Sequence, residues 1–115
     1  MVNFKESKSE EERLTESTKI IEKYPDKIPV IVEKYSKSSI KNIDKNKYLV
    51  SGDMTMSQFI YIIRKRIKLK SSEALFFFVN NVLCNNSQCM IEIYNLYKDK
   101  DGFLYIEYSS ENTFG

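Results

Sequence analysis

The sequence predicts an α+β fold in which helices and short strands follow one another along a single domain. Segments with apolar residues at helical spacing are interspersed with apolar segments of strand length. No internal repeat and no linker rich in proline, glycine or serine divides the chain. Its 115 residues, of which 42% are hydrophobic, are enough to bury a core of ordinary size.

The N-terminal third of the chain predicts a helix and then a strand. Residues 10–24 have a sparse apolar helical face, which ends at a Tyr-Pro pair because the residue before proline disfavours the α region. Residues 28–33 alternate as a strand. Pro29 should lie at the start of this strand or on a sheet edge, because proline donates no hydrogen bond to a ladder. Residues 1–9 have Phe4 as their one large anchor, so we expect them to be partly ordered or loosely docked.

The middle of the chain predicts a second strand over residues 45–51 and then a helix. Thr55 can cap this helix, and Gln58 can complete a capping box. Apolar residues at spacings of four, three and four form the face expected in the core: Met56, Ile60, Ile63 and Ile67. Phe59 and Ile62 lie on a neighbouring face, so the helix has more apolar surface than one buried stripe needs.

The last third of the chain predicts a strand, a helix and a strand. Residues 74–79 form a continuous apolar run, which is typical of a central strand covered on both faces, and Asn80-Asn81 ends it. A helix fits residues 88–97, and a final strand fits residues 103–108. Two hairpin-like strands, a crossover helix and a central strand form the β-grasp arrangement.

The composition argues against an enzyme. The chain has no histidine, which removes Ser-His-Asp and Cys-His catalysis and most zinc sites. Its three glycines form neither a GxGxxG motif nor a phosphate-binding loop. Cys84 and Cys89 are expected to be reduced thiols near a loop, and Asp99 and Asp101 are expected in a solvated turn. We therefore predict a binding module that is not an enzyme and holds no cofactor or metal.

Charge and hydropathy predict a cytoplasmic protein with a basic central surface. Residues 19–70 hold 13 basic and 5 acidic residues, whereas the whole chain has a net charge of only +2. Such a surface suits an acidic partner. No apolar run approaches the ~18 residues of a membrane span, and the first residues lack the pattern of a signal peptide.

A set of specific motifs extends from about Lys19 to Gly115. They are KYPDKIPVIVEK at 23–34, DK at 44–45, KYLV at 47–50, IRKRI at 63–67, ALFFFVNN at 74–81, DGFLY at 101–105 and FG at 114–115. Together they closely resemble the autophagy-related protein 8 family of ubiquitin-like modifiers, and its GABARAP branch in particular.

This resemblance implies a ubiquitin-like β-grasp fold over a single domain, residues 1–115. The expected parts are an N-terminal helical extension with two helices over 1–24, a core over 25–108 and a flexible conjugation tail over 109–115. The core should contain a four-stranded mixed sheet with two helices.

The resemblance also implies covalent attachment through Gly115 to phosphatidylethanolamine on autophagic membranes. The Gly115 carboxylate would be adenylated, transferred to cysteines of an activating and a conjugating enzyme, and joined to the lipid amine. Gly115 would therefore be a substrate residue and not a catalytic one. A processing and delipidating cysteine protease is a further expected partner. The alternative is that Gly115 is simply the residue at which this sequence stops, and both readings stay open at this point.

The family's docking site implies an exposed strand edge at residues 47–50 and two apolar pockets, to which a short aromatic-x-x-aliphatic peptide adds as a strand. The first pocket, for the aromatic residue, would be built by Glu16, Ile20, Pro29, Lys47, Leu49 and Phe103. The second, for the aliphatic residue, would be built by Tyr48, Val50, Met54, Phe59 and Ile62. The cations expected to meet acidic residues beside the motif are Lys45, Lys47 and Arg66. The alternative is that the apolar residues belong to the core and the cations to a solvated face.

The resemblance thus predicts a lipid-conjugated adaptor that recruits autophagy receptors and adaptors carrying this motif. We expect a monomer in solution, located in the cytoplasm and, when lipidated, on the autophagosomal membrane. The alternative function is a ubiquitin-like interaction module that is never conjugated. Nucleic-acid binding through the basic residues 64–66 is disfavoured, because only a moderate local charge supports it and the core claims several aromatic residues.

Overall fold

A mixed five-stranded sheet organises the chain, and helices cover both of its faces. The structure, a computed structural model, describes residues 3–112. Its elements in chain order are α1 (Phe4–Ser7), α2 (Glu10–Lys23), β1 (Lys27–Lys34), β2 (Lys47–Ser51), α3 (Met56–Ile67), β3 (Phe76–Val79), β4 (Val82–Leu83), α4 (Met90–Tyr97) and β5 (Leu104–Ser109).

The strand order is β2-β1-β5-β3-β4. β1 runs antiparallel to β2 and parallel to β5, and β5 runs antiparallel to β3. The N-terminal and C-terminal strands of the core are thus neighbours at the centre of the sheet. This topology, with two helices before β1, confirms the predicted ubiquitin-like α+β fold.

The predicted number of strands was wrong, because the sheet has a fifth strand. Asn80 and Asn81 have φ angles of 51° and 65°, and they form the two-residue turn of a hairpin. The turn places Val82 opposite Val79 and creates β4 at the sheet edge. Asparagine tolerates the left-handed region, so this pair turns the chain back instead of only ending a strand.

The predicted position of Pro29 was also wrong. Pro29 is the third residue of β1, which lies between β2 and β5. It is tolerated there because β1 begins to pair with β5 only at Val30. The Val32 N–H donates to the Asn46 carbonyl on the β2 side, and backbone groups alternate along a strand. The missing N–H of Pro29 would therefore point toward β5, before that ladder begins.

The main core lies between the sheet and the helices α3 and α4. The capping box of Thr55 and Gln58 and the helix over 56–67 are confirmed. Met56 and Ile63 are fully buried, as their spacing predicts. Phe59 is fully buried too, whereas Ile60 is only partly buried, so the buried face of α3 is rotated slightly from the predicted one.

The N-terminal helices cover the opposite face of the sheet. Phe4 is buried and packs edge-to-face on Phe103, with 5.1 Å between the ring centroids. Its backbone N–H donates to the carboxylate of Glu33 at 2.8 Å, and Lys5 pairs with Asp99 at 2.8 Å. We expected a loosely docked segment here, but residues 3–9 are held by these contacts; residues 1–2 lie outside the described part of the chain.

Candidate functional site

The site begins with β2, which forms one edge of the sheet. β1 pairs with one side of β2, and no strand within residues 3–112 pairs with the other. Along β2 the side chains alternate: Tyr48 and Val50 are buried, whereas 43% of Leu49 is exposed. This alternation is typical of a strand with one buried face, and it leaves Leu49 and Lys47 on the other face.

The backbone of this edge is available to a further strand. Leu49 is the register partner of Pro29, which has no N–H. This pair is therefore of the non-hydrogen-bonded kind, in which the backbone groups of both residues point away from each other. The N–H and C=O of Leu49, and those of Lys47 two residues earlier, consequently face outward.

Of the residues predicted for the first pocket, Glu16, Ile20, Lys47 and Phe103 come together between α2 and the sheet. Glu16 and Ile20 are one helical turn apart on α2, and Ile20 packs against the cluster of Phe4, Ile31 and Phe103. Phe103 is fully buried beneath Phe4, so it can form only the floor of this region.

Glu16 links the pocket wall on α2 to β2. Its carboxylate pairs with Lys8 at 2.6 Å and with Lys47. Burial opposes ionisation of Glu16, but the two ammonium groups outweigh it and hold its pKa below the ordinary value. The Glu16–Lys47 ion pair crosses the region where the first pocket was predicted. Lys47 therefore already has an anionic partner within the chain.

A buried polar cluster fixes α2 on the sheet. Arg13 Nη1 lies 2.5 Å from Asp101 Oδ2, and the hydroxyl of Tyr105 donates to the same oxygen at 2.5 Å. The Ser17 hydroxyl donates to the Asp101 carbonyl at 2.5 Å. Gly102 has a φ of +87°, and a Cβ there would lie 2.3 Å from Ser17 Oγ, so only glycine allows this close approach.

Asp101 is fully buried, so the prediction of a solvated turn at this residue was wrong. Its partner Arg13 is 88 residues away in the sequence, and no local pattern signals such a pair. Burial, and then the hydrogen bond to Asp101, raise the pKa of Tyr105 above its ordinary value. Arg13 and Ser17 lie on α2 together with Glu16. The cluster therefore also fixes the position of Glu16, which we predict for the wall of the first pocket.

A shallow second pocket of about 630 Å³ lies between the end of β2 and α3. Of the predicted residues, Met54 and Ile62 line it, and 40% of Ile62 is exposed. Its other lining residues are Ser51, Asp53, Ser57, Gln58 and Tyr61. Ser57, Gln58, Tyr61 and Ile62 share one side of α3, a spacing that could have identified them.

The structure corrects the position of Phe59. It was predicted to line the second pocket, but it has no exposed surface and packs edge-to-face on Tyr48 at 5.7 Å and on Phe77 at 5.8 Å. Tyr48 and Val50 are likewise buried in the main core. These three residues can support the second pocket from beneath, and Met54 and Ile62 provide its exposed apolar surface.

Two of the three predicted cations are paired with carboxylates of the chain itself. Lys47 pairs with Glu16, and Arg66 forms a bidentate pair with Asp44. The hydrogen bond from Arg66 lowers the pKa of Asp44 and raises that of Arg66. Lys45 instead places Nζ 5.0 Å from the centroid of the Tyr48 ring, a cation–π distance.

A separate polar cavity of about 560 Å³ lies at the C-terminal ends of β1 and β5. Its polar lining includes Glu33 and Glu107, which are register partners on these strands. Burial, and then the like charge of Glu33, raise the pKa of Glu107. None of the predicted site residues lines this cavity.

The predicted conjugation residue, Gly115, lies outside the described residues. Ser109, which we placed first in the tail, is the buried last residue of β5.

Cys84 and Cys89 are free thiols, and burial raises the pKa of Cys84 to about 11. Within residues 3–112, no helix is both long and apolar enough to cross a membrane.

Known proteins resemble this chain over nearly its whole length. A family model described as "Autophagy protein Atg8 ubiquitin like" matches residues 12–115. The chain is 57% identical to autophagy-related protein 8e of Arabidopsis thaliana, a match that covers 97% of this chain and 92% of that protein. It is 56% identical to autophagy-related protein 8 of Schizosaccharomyces pombe, a match that covers 97% of this chain and 93% of that protein.

Solved structures agree with these sequence matches. The crystal structure of Trypanosoma brucei ATG8 has a TM-score of 0.91 and 42% identity, with 100% of this chain and 99% of that chain covered. Plasmodium falciparum Atg8, in complex with a Plasmodium falciparum Atg3 peptide, has a TM-score of 0.90 and 36% identity, with 99% of this chain and 100% of that chain covered. Assignment to the GABARAP branch stays a prediction. The chain belongs to the Atg8 family of ubiquitin-like autophagy proteins.

Proposed function

We propose that this chain is a lipid-conjugated modifier and adaptor. Its Gly115 carboxylate is joined to phosphatidylethanolamine, and its β2 edge then binds aromatic-x-x-aliphatic motifs of autophagy receptors and adaptors at the membrane. Before conjugation the protein is cytoplasmic, and afterwards it resides on the autophagosomal membrane. The observation that supports the docking part is the edge of β2, which no strand within residues 3–112 pairs, with an observed pocket beside it on the α3 side.

The spacing of the motif fits the geometry of this edge. In an extended peptide, residues separated by three positions point to opposite faces of the strand. The second pocket lies beside α3, whereas Glu16 and Ile20, which we predict for the first pocket, lie on α2 at the opposite face of the sheet. A peptide that pairs with the outward backbone groups of Lys47 and Leu49 can therefore fill one pocket with each anchor.

Apolar surface at both anchor positions supports binding of short motifs. The aromatic residue would contact Leu49 and Ile20 above a floor that includes Phe103. The aliphatic residue would contact Met54 and Ile62. Because a short peptide loses conformational freedom when it becomes a strand, we expect a dissociation constant on the order of micromolar.

The conjugation chemistry requires no catalytic residue of this chain. The carboxylate of Gly115 displaces pyrophosphate from ATP on an activating enzyme, and an enzyme thiol then displaces AMP to form a thioester. After transfer to a conjugating enzyme, the lipid amine attacks the thioester, which releases the thiol and forms an amide. Glycine suits the narrow sites of such enzymes because it has no Cβ. The complex of Plasmodium falciparum Atg8 with an Atg3 peptide supports a partner of this class.

Reconstitution tests the conjugation part. The chain is incubated with activating and conjugating enzymes, ATP and liposomes that contain phosphatidylethanolamine, and the product is analysed by mass spectrometry. We expect a lipid adduct on Gly115, and its loss in Gly115→Ala with the fold and peptide binding retained. If the chain binds the peptide but forms no adduct, it is a ubiquitin-like interaction module that is not conjugated.

A further inference from the structure

Arg66 is paired with Asp44, a carboxylate of the same chain that lies just before β2. Its Nε donates to Asp44 Oδ1 at 2.8 Å, and its Nη2 donates to Asp44 Oδ2 at 3.1 Å. This is the bidentate geometry in which arginine binds a carboxylate most specifically. Both side chains are accessible to a partner, since 45% of Arg66 and 71% of Asp44 is exposed.

The pair lies beside a residue of the docking edge. Asp44 lies three residues before β2, and its neighbour Lys45 places Nζ 5.0 Å from the centroid of the Tyr48 ring. Tyr48 is the neighbour of Leu49 in β2. An acidic residue beside a motif bound at this edge would therefore meet Arg66 while Arg66 is still paired with Asp44.

We propose that Asp44 determines specificity at the docking edge by competing with acidic residues of the ligand for Arg66. The proposal rests on the proposed docking function. An incoming carboxylate must replace the bidentate contact of Asp44, so it exchanges one ion pair for another instead of adding one. The preference of the protein for an acidic flank over a neutral flank is consequently smaller than its basic edge would give.

Lys45 provides the contrast within the same surface. It forms no ion pair with another residue in the part of the chain that the structure describes, and its ammonium group lies over the Tyr48 ring. Lys45 can attract a ligand carboxylate without first losing an anionic partner. The acidic preference of the wild-type protein therefore comes mainly from Lys45, and the contribution of Arg66 appears when the Asp44 charge is removed.

The test is a titration of full-length variants with two peptides that share an aromatic-x-x-aliphatic core. One peptide has aspartate and glutamate beside the core, and the other has asparagine and glutamine in their places. The proteins are wild type, Asp44→Asn, Arg66→Gln and the double variant, measured by calorimetry at low salt. Asp26→Asn is the matched control, because Asp26 is an exposed acid outside both predicted pockets and its change also removes one negative charge.

We expect Asp44→Asn to raise the ratio of acidic to neutral affinity by about two- to five-fold, the range of an exposed ion pair. Asp26→Asn should raise this ratio less, and the gain from Asp44→Asn should vanish when Arg66 is already glutamine. Asp44→Glu, which keeps the charge, should stay near wild type.

Other results would overturn the proposal in recognisable ways. If the wild type binds the peptides and Asp44→Asn leaves the ratio unchanged or lowers it, Asp44 does not compete for Arg66. A gain that persists in the Arg66→Gln background, or that Asp26→Asn matches, would assign the effect to the general charge of the protein. If the wild type binds neither peptide, the docking function itself fails, and this proposal fails with it.

Discussion

Arg13 Nη1 lies 2.5 Å from Asp101 Oδ2, and the Asp101 side chain is completely buried. This pair joins α2 to the turn before β5, and the hydroxyl of Tyr105 and the backbone N–H of Phe103 complete the coordination of the carboxylate. The packing of α2 on the sheet, and with it the position of Glu16 and Ile20, therefore depends on one cluster.

Arg13→Ala should destabilise the protein by about 3 kcal/mol, because it leaves a buried carboxylate without its cation. Urea unfolding measures the change. Lys19→Ala is the matched control, since Lys19 is an exposed cation on the same helix. Equal stability of the two variants would show that the buried pair contributes no more than a surface lysine.

Glu107→Gln should stabilise the protein at neutral pH. Burial and the like charge of Glu33 raise the pKa of Glu107 in the folded state. Between the ordinary and the raised pKa, the folded protein binds a proton that the unfolded chain has released, so stability falls as pH rises through this window. Glutamine removes this loss.

Thermal unfolding as a function of pH measures the effect. The gain from Glu107→Gln should be largest above the raised pKa and should shrink as the pH falls below the ordinary value for glutamate. Glu111→Gln is the matched control, because Glu111 is an exposed carboxylate two residues beyond the end of β5, and it should not reproduce this gain. A pH-independent difference, or no gain at neutral pH, would contradict the raised pKa.

Tyr48→Phe should leave stability unchanged or increase it by up to about 1 kcal/mol. The Tyr48 hydroxyl is buried and has no hydrogen-bond partner in the described part of the chain, so its removal relieves a desolvation cost. Tyr94→Phe is the opposite control, because the Tyr94 hydroxyl donates to the Gly102 carbonyl at 2.7 Å and its loss should cost about 1 kcal/mol. Chemical unfolding measures the free energy of unfolding of both variants. A clear loss of stability in Tyr48→Phe would indicate an unrecognised hydrogen-bond partner of the Tyr48 hydroxyl.

Local patterns predicted the elements that carry their own signals. The helix over 56–67 was predictable because its capping box and its apolar spacing agree, whereas the exposure of Leu49 was expected only from the family resemblance. β4 was not, because a strand of two residues has no periodicity and depends on the φ angles of Asn80 and Asn81. The family resemblance supplied what patterns could not, namely which side of β2 was to be left open.

Long-range contacts account for the errors at the candidate site. The burial of Asp101 depends on Arg13, and the interior position of Pro29 depends on where pairing with β5 begins. Phe59 was assigned to the second pocket, but its position on α3 turns it toward Phe77 and the core. The internal partners of Lys47 and Arg66 were missed for the same reason, since each pair is formed across separate elements.

The central claim is that the open β2 edge docks an aromatic-x-x-aliphatic peptide between two pockets, and calorimetric titration of the double variant Leu49→Ala, Ile62→Ala tests it most directly. Both side chains are partly exposed, so their loss should spare the fold. The control is Leu83→Ala, an equally exposed leucine, at 49%, on the opposite sheet edge. We predict that the wild type and Leu83→Ala bind with a dissociation constant on the order of micromolar, and that the double variant binds at least about tenfold more weakly, as expected when two apolar anchors are truncated. Unchanged affinity in a folded double variant would contradict the site.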